Sequence, residues 1–292
     1  MVGRKNLSRI DLQYTRLDRV ILFVNGILLF VAFLIFLYPL LNVVSNSFSS
    51  WEAVNKQQVW LFPVNFTVEA YVDIFTSPQI GTGYLNSFIY TFFGTLINIV
   101  VTLLAAYPLS RKEVVGRGVV MAIFTFTMFF SGGMIPTFMV VRSMGLLDTR
   151  MSQMLPVAMG VVNVIIARTY FQSTIPAELY ETAGLDGASD TQVLLRIVLP
   201  LSTPIISVLI LYYAVGHWNS FFSALIYLDS PKLYPLQVIL RDHLMEESLS
   251  MEEHWDQNAA IYMAKQAVFK YGLIVVGSLP VIILYPIIQK YF

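Results

Sequence analysis

The segment Glu181-Thr182-Ala183-Gly184-Leu185-Asp186-Gly187-Ala188, followed by Ile197-Val198-Leu199-Pro200, decides how this chain is read. It is a short polar stretch between two long apolar runs, and its composition predicts a helix, a glycine turn and a second helix. Pro176 suits a first helical turn, where a missing N–H costs nothing. Glu178 and Glu181 stand early in the helix, where the dipole favours acids. Leu179 and Ala183 share one face with Leu185 close to it, leaving Glu181 free to meet a partner. Gly184 and Gly187 allow a sharp reversal at positive φ, and Ala183 and Ala188 are small enough for close approach to another surface. Residues 175–197 therefore form a shaped protrusion between two apolar segments.

The solvent on either side of it is a bilayer. The chain is 57% hydrophobic and 12% charged, about half the usual charge of a soluble domain, with a mean hydropathy of +0.68. A span needs about 20 apolar residues. Six stretches qualify, at 20–44, 87–109, 119–141, 151–170, 199–228 and 271–288, so an all-α membrane protein with six transmembrane helices is expected. The first stretch is too long for a signal-peptide core and lacks a small-residue cleavage site, so it is expected to be retained. Pro200 and Pro204 predict a bent fifth span. Ser131-Gly132-Gly133 and Pro136 predict a break in the third, serving either a close helix crossing or a hinge. With the N-terminus inside, the inner side holds eleven of the 18 basic residues and seven of the 18 acidic ones. That bias places both termini and the 175–197 protrusion in the cytoplasm. Residues 1–19 then form a basic cytoplasmic tail and 20–292 the membrane domain. Two long outer loops, 45–86 and 229–270, lie where a soluble binding protein or a simple cap would sit.

Several functions are excluded. With no cysteine, there are no disulfides, zinc–thiolate sites or thiol catalysis. None of the six stretches contains Asp or Glu, whereas ion-coupled carriers keep such groups at mid-membrane depth. No G-x-x-x-x-G-K-[ST] phosphate loop occurs, so the chain does not hydrolyse ATP in the usual way. His217 lacks an acid or nucleophile partner, and His243 and His254 lack metal-ligand spacing. The chain reads as a transport subunit rather than an enzyme, with no nucleic-acid partner and no metal.

Candidate substrate contacts lie in the fifth stretch. Tyr213, His217 and Phe221 fall at i, i+4 and i+8, along one helical stripe, with Trp218 and Asn219 turned aside. Aromatic faces and a polar imidazole suit a sugar, although the same pattern also suits helix packing. Asn98 reads as an interhelical hydrogen-bond partner and Arg168 as a snorkelling anchor.

The spacing of Glu181, Ala183, Gly187, Ile197, Leu199 and Pro200 resembles the EAA-type signature loop of ATP-binding-cassette importer permeases. The likeness runs along most of the chain. Tyr84-Leu85-Asn86-Ser87 opens the second stretch and Ala105-Ala106-Tyr107-Pro108-Leu109-Ser110-Arg111 closes it. Gly145-Leu146-Leu147-Asp148-Thr149, Ile175-Pro176-Ala177-Glu178-Leu179 and Gly216-His217-Trp218-Asn219-Ser220-Phe221-Phe222 follow. With Phe130-Ser131-Gly132-Gly133 and Tyr234-Pro235-Leu236-Gln237, they are most similar to the sugar branch of type I permeases, which includes the inner maltose permease. Within it they resemble the oligosaccharide group for alginate and pectin-derived fragments. The resemblance implies a type I permease fold with its core at about 84–288. It also implies a heterodimer with a second permease, two ATPase subunits binding ATP and magnesium, an extracytoplasmic solute-binding protein, and a place in the inner or plasma membrane. The loop residues Glu181, Ala183, Gly184, Leu185, Asp186, Gly187 and Ala188 would seat in an ATPase cleft. Thr182 stands where Ala is usual, and the chain ends at Tyr291 and Phe292 without the Lys/Gly-containing tail of its relatives. A facilitator or secondary carrier without an ATPase stays open, as does a membrane-bound enzyme or assembly factor. A permease of the same class for amino acids, peptides or lipid precursors is a further alternative.

Overall fold

A computed structural model describes residues 16–250 and 257–289. The expectations about residues 1–15, about His254 and its acidic neighbours 252, 253 and 256, and about 290–292 lie outside the described residues. Every regular element found among the described residues is helical. In chain order these are α1 (Arg16–Ser47), α2 (Trp51–Asn55), α3 (Glu69–Thr76), α4 (Pro78–Ser110), α5 (Arg117–Phe129), α6 (Met134–Ser143) and α7 (Val161–Thr174). Then come α8 (Ala177–Leu185), α9 (Asp190–Val193), α10 (Leu199–Leu201), α11 (Thr203–Trp218), α12 (Phe222–Tyr227), α13 (Leu236–Ser250) and α14 (Gln257–Gln289).

Three helical segments are long and apolar enough to cross a membrane, namely Leu17–Ser47, Pro78–Ser110 and Lys265–Pro286. Two bent pairs bring the number to five if each is one span. Arg117–Phe129 meets Met134–Ser143 at 116°, and Asp190–Leu201 meets Thr203–Trp218 at 82°. The expected stretches at 119–141, 151–170 and 199–228 are thus not single helices. The first breaks because Gly133 sits at φ 85°, ψ −179°, a conformation essentially confined to glycine. A Cβ there would meet nothing within 4 Å in this chain, so the break does not serve a close crossing at Gly133 inside the chain. The second is a 3₁₀ turn, Arg150–Gln153, then irregular backbone up to α7. The third bends at Ser202, between Leu201 and Thr203, with Pro200 in the turn before the break and Pro204 in the first turn after it. A π turn, Leu194–Val198, precedes it, with the Leu199 N–H reaching the Leu194 carbonyl. That stretch then ends at Trp218, and α12 starts a new helix. The expected outer loop at 229–270 instead contains α13 and the first turns of α14.

α4 is the central post. α7, α11 and α13 pack on it, α14 packs on α11 and α13, and α1 runs along α14. One buried cluster fills the α8–α9 end of the bundle: Tyr107, Val164, Phe171, Ala183, Val193 and Leu209 among others. A second fills the opposite end, with Ile74, Ile80, Trp218, Leu236, Leu273 and Val276. In lipid such clusters are held by close packing and interhelical hydrogen bonds rather than by water exclusion. α1 is the exception, since its most apolar stretch buries nothing inside the chain.

The chain ends of these helices are tied by side chains. Asn42 donates to the carbonyls of Val59 and Trp60, and Ser45 to that of Leu61, folding 56–67 back on α1. On α4, Asn86 donates to the Lys232 and Tyr234 carbonyls and Tyr90 to that of Leu233. Ser87 accepts the Leu236 N–H at 2.9 Å. These bonds fix where α13 begins.

Candidate functional site

The protrusion predicted from sequence is present, and its local geometry follows from its residues. α8 ends in a Schellman motif. The Ala188 N–H reaches the Ala183 carbonyl at 2.9 Å and the Gly187 N–H that of Gly184 at 3.1 Å, satisfying carbonyls that a helix end would leave orphaned. Gly187 carries the reversal at φ 72°. Gly184 does not share it, lying within α8. Ser189 then opens α9 with a capping box: its backbone N–H donates to Gln192 Oε1 at 2.9 Å, and its hydroxyl accepts the Gln192 N–H. Ser-x-x-Gln is a recognisable helix start, and it is the signal that would have located this helix from sequence.

The module is anchored on one face and free on the other. Ala183 is 7% exposed and packs in the same cluster as Tyr107, Phe171 and Val193. Glu181, Gly184, Asp186 and Gly187 are exposed, and Leu185 is 90% exposed. The expectation that Leu185 lies near the Ala183 face therefore fails, because it sits about 200° around the helix from that alanine. A Cβ added at Gly184 or Gly187 would meet nothing within 4 Å in this chain.

A second loop braces the module. The Arg111 guanidinium lies 3.9 Å from the centre of the Tyr180 ring, a cation–π arrangement, and its Nε is 3.3 Å from Glu113. Burial pushes the Tyr180 phenol up from its ordinary value, with the nearby Arg111 charge opposing that rise. Arg168, expected to snorkel, instead donates from Nε to the Leu109 carbonyl at 2.9 Å, and Gln172 donates to that of Ser110 at 3.2 Å. Both cap the last turn of α4. The Arg111–Tyr180 contact and these two caps tie α8, the end of α4 and α7 together.

The aromatic stripe divides. Tyr213, His217 and Trp218 are buried. His217 Nε2 is 2.6 Å from Asn98 Oδ1, while Asn98 Nδ2 donates to the Val157 carbonyl. That leaves Oδ1 as the acceptor and puts the histidine proton on Nε2. The imidazole rests on Gly94, where a Cβ would lie 2.5 Å from Cε1 and Nε2. The Tyr213 hydroxyl is 2.7 Å from that of Thr102 and accepts the Gly160 N–H. Trp218 Nε1 donates to the Gly277 carbonyl at 2.9 Å. These bonds join α4, α11 and α14 to one another and to the irregular segment before α7. Phe221 leaves the stripe because α11 ends at Trp218. Asn219 and Phe221 are exposed and line an open cleft of about 460 Å³ bounded by α13 and α14.

Sequence reasoning places Asp148 in a motif but gives it no role. At φ 53°, its carboxylate accepts the N–H groups of Asp229 and Ser230 at 3.0 and 2.8 Å and the Ser230 hydroxyl at 2.5 Å. Ser230's hydroxyl and backbone bonds hold the Asp148 carboxyl below the usual aspartate value. It clamps two loops at the end opposite α8. Among the described residues, no three His, Asp or Glu side chains gather as metal ligands would.

No protein-family model matches the chain, but individual relatives do. The polygalacturonan/rhamnogalacturonan transport system permease protein YtcP of Bacillus subtilis (strain 168) is 39% identical over 269 residues, 92% of this chain and 93% of the relative. LplC of the same organism is 38% identical over 255 residues, 87% and 85% of the two chains. A solved chain from a bacterial ATP-binding-cassette transporter that imports the acidic polysaccharide alginate superposes with a TM-score of 0.84. It is 35% identical and is matched over 96% of this chain and 99% of its own. Sequence likeness across nearly the whole length and a shared helical arrangement agree. The chain belongs to the carbohydrate-importing permeases of the ATP-binding-cassette transporters.

Proposed function

We infer that this permease spans the membrane six times with both termini in the cytoplasm, and forms one half of an oligosaccharide path with a second, different permease. In this reading the crossings are α1, α4, the bent α5–α6 pair, residues 150–174, the bent α9–α11 segment and α14. The excess of basic residues on the α8 side supports this orientation. Residues 1–19 are the cytoplasmic tail, and 175–197 is the coupling loop within a core of about 84–288. Two ATPase subunits, which bind ATP and magnesium, sit beneath the pair. A solute-binding protein delivers the oligosaccharide from outside, and the setting is the inner or plasma membrane.

The observation that carries this reading is the split character of the α8–α9 module. Ala183 is locked in the core while Glu181, Gly184, Leu185, Asp186 and Gly187 face outward on the same rigid turn. Such a knob fits a cleft in the motor subunit, with Ala188 completing the turn. Closure of the motor would pull α9, and the bent path through the π turn would carry the displacement into α11. There the Asn98–His217 and Thr102–Tyr213 bonds couple α11 to α4. On the substrate path, Asn219 and Phe221 offer contact surface, while Tyr213, His217 and Trp218 hold the helices that shape it.

The test is transport by the reconstituted assembly. Proteoliposomes containing both permeases, the ATPase and the binding protein should take up oligosaccharide only with ATP. Uphill uptake driven by an ion gradient with the ATPase omitted would overturn this reading in favour of a secondary carrier.

A further inference from the structure

The cleft beyond Trp218 has a chemistry of its own. Asn219 and Phe221 at the end of α11, Gln237 and Arg241 on α13, and Ser278 on α14 all line it, with aliphatic side chains between them. Its volume of about 460 Å³ falls within the range of about 300–1,000 Å³ usual for small-molecule sites. Arg241 holds Asp242 at 3.2 Å through Nη1, with 42% of its side chain exposed. A guanidinium has five N–H donors, so its remaining edge is available to the cleft.

We propose that this cleft is a subsite for a carboxylated sugar residue, with Arg241 as the group that recognises the carboxylate. The assignment rests on the oligosaccharide reading above and specifies the substrate as a uronate-containing chain. A planar guanidinium matches a carboxylate with two parallel hydrogen bonds, which a neutral sugar cannot supply. The carboxamides of Asn219 and Gln237 and the Ser278 hydroxyl are donor–acceptor groups suited to ring hydroxyls. The exposed Phe221 ring offers an apolar face to the C–H side of a pyranose. The α11–α12 break sets this up, because a continuous helix would have kept Phe221 on the Tyr213–His217 stripe. α13 brings Arg241 in because the α4 side chains Asn86 and Ser87 hold the start of that helix against the bundle.

The experiment uses the complete detergent-purified transporter without its binding protein. Binding of trigalacturonate is compared with that of the neutral trisaccharide made by reducing its carboxyl groups, for wild type, Arg241→Gln and Arg241→Lys. Wild type should prefer the acidic probe by about ten- to a hundredfold, the scale of a lost charge-assisted pair. Arg241→Gln should erase that preference while leaving the neutral probe unchanged, and Arg241→Lys should keep part of it. No preference in wild type, a preserved preference in Arg241→Gln, or an equal loss for both probes would overturn the assignment. ATP-driven uptake by the wild-type assembly in proteoliposomes separates the two levels. If uptake occurs and the preference survives Arg241→Gln, only the subsite is wrong. If no oligosaccharide is taken up with ATP, the oligosaccharide reading itself fails.

Discussion

Gly94→Ala should damage this protein through one identifiable contact. A Cβ at position 94 would lie 2.5 Å from Cε1 and Nε2 of His217 and 2.9 Å from Cδ2. Carbon atoms settle at about 3.5–4.0 Å, so the imidazole must retreat by about 1 Å. Such a retreat breaks the 2.6 Å contact between Nε2 and Asn98 Oδ1. Overpacking of this kind costs about 1–3 kcal/mol, and an interhelical hydrogen bond in a membrane contributes about 0.6 kcal/mol on average and about 1.7 at most. The total is about 2–4 kcal/mol. Thermal unfolding of the detergent-purified assembly reads this as a fall of several degrees, at about 2–4 °C per kcal/mol for chains of 150–250 residues. His217→Ala removes the ring that the new methyl strikes, so the double variant should be more stable than the two single losses sum to. Strict additivity in that cycle, or an unaltered transition in Gly94→Ala, would refute the reasoning.

Other outcomes follow from the same structure. Arg111→Ala removes the cation–π brace on Tyr180, worth about 0.5–1 kcal/mol at such sites, and should speed amide exchange in α8 while leaving α14 unaffected. Gly133→Ala forces a side chain into a glycine-only conformation at a cost of about 1–3 kcal/mol without a clash in this chain; a changed α5–α6 distance between paired spin labels reports it. Asp148 is held below the ordinary aspartate value of 3.8 by its bonds to Ser230 and Asp229. Its contribution is therefore complete at neutral pH and is lost as pH falls below that value and through the depressed one. Proteolysis near 229–230 should accelerate in that acid range. Asp148→Asn should make cleavage faster at neutral pH and remove this part of the acid dependence.

What was legible in the sequence was local, and what was not depended on partners far along the chain. Gly187 and the alanines announced a turn because only glycine takes positive φ without strain, and the structure puts the reversal there. Gly184 offers the same freedom, yet the helix runs through it. The long apolar runs gave α1, α4 and α14, whereas Ser131-Gly132-Gly133 and Pro200 marked bends whose angles no pattern encodes. Asn98 was recognisable as an interhelical donor, but its pairing with His217 joins residues 119 apart in sequence. Arg168 looked like a membrane anchor because its acceptor, the Leu109 carbonyl, carries no sequence mark. α13 lies among charges that in sequence read as a loop, and Arg241 with it. Asp148 gave no independent signal, since its clamp forms only when 228–230 arrives from the far side of α12.

The measurement that bears most directly on the account is photo-cross-linking from position 185, which is 90% exposed on the α8–α9 module, in the intact assembly. With a photoreactive amino acid replacing Leu185, the account predicts adducts with the ATPase subunit. It also predicts that a bulky residue at Gly187 removes both these adducts and ATP-dependent uptake while the chain still inserts in the membrane. Adducts with an external protein, or full uptake by the Gly187 variant, would contradict it.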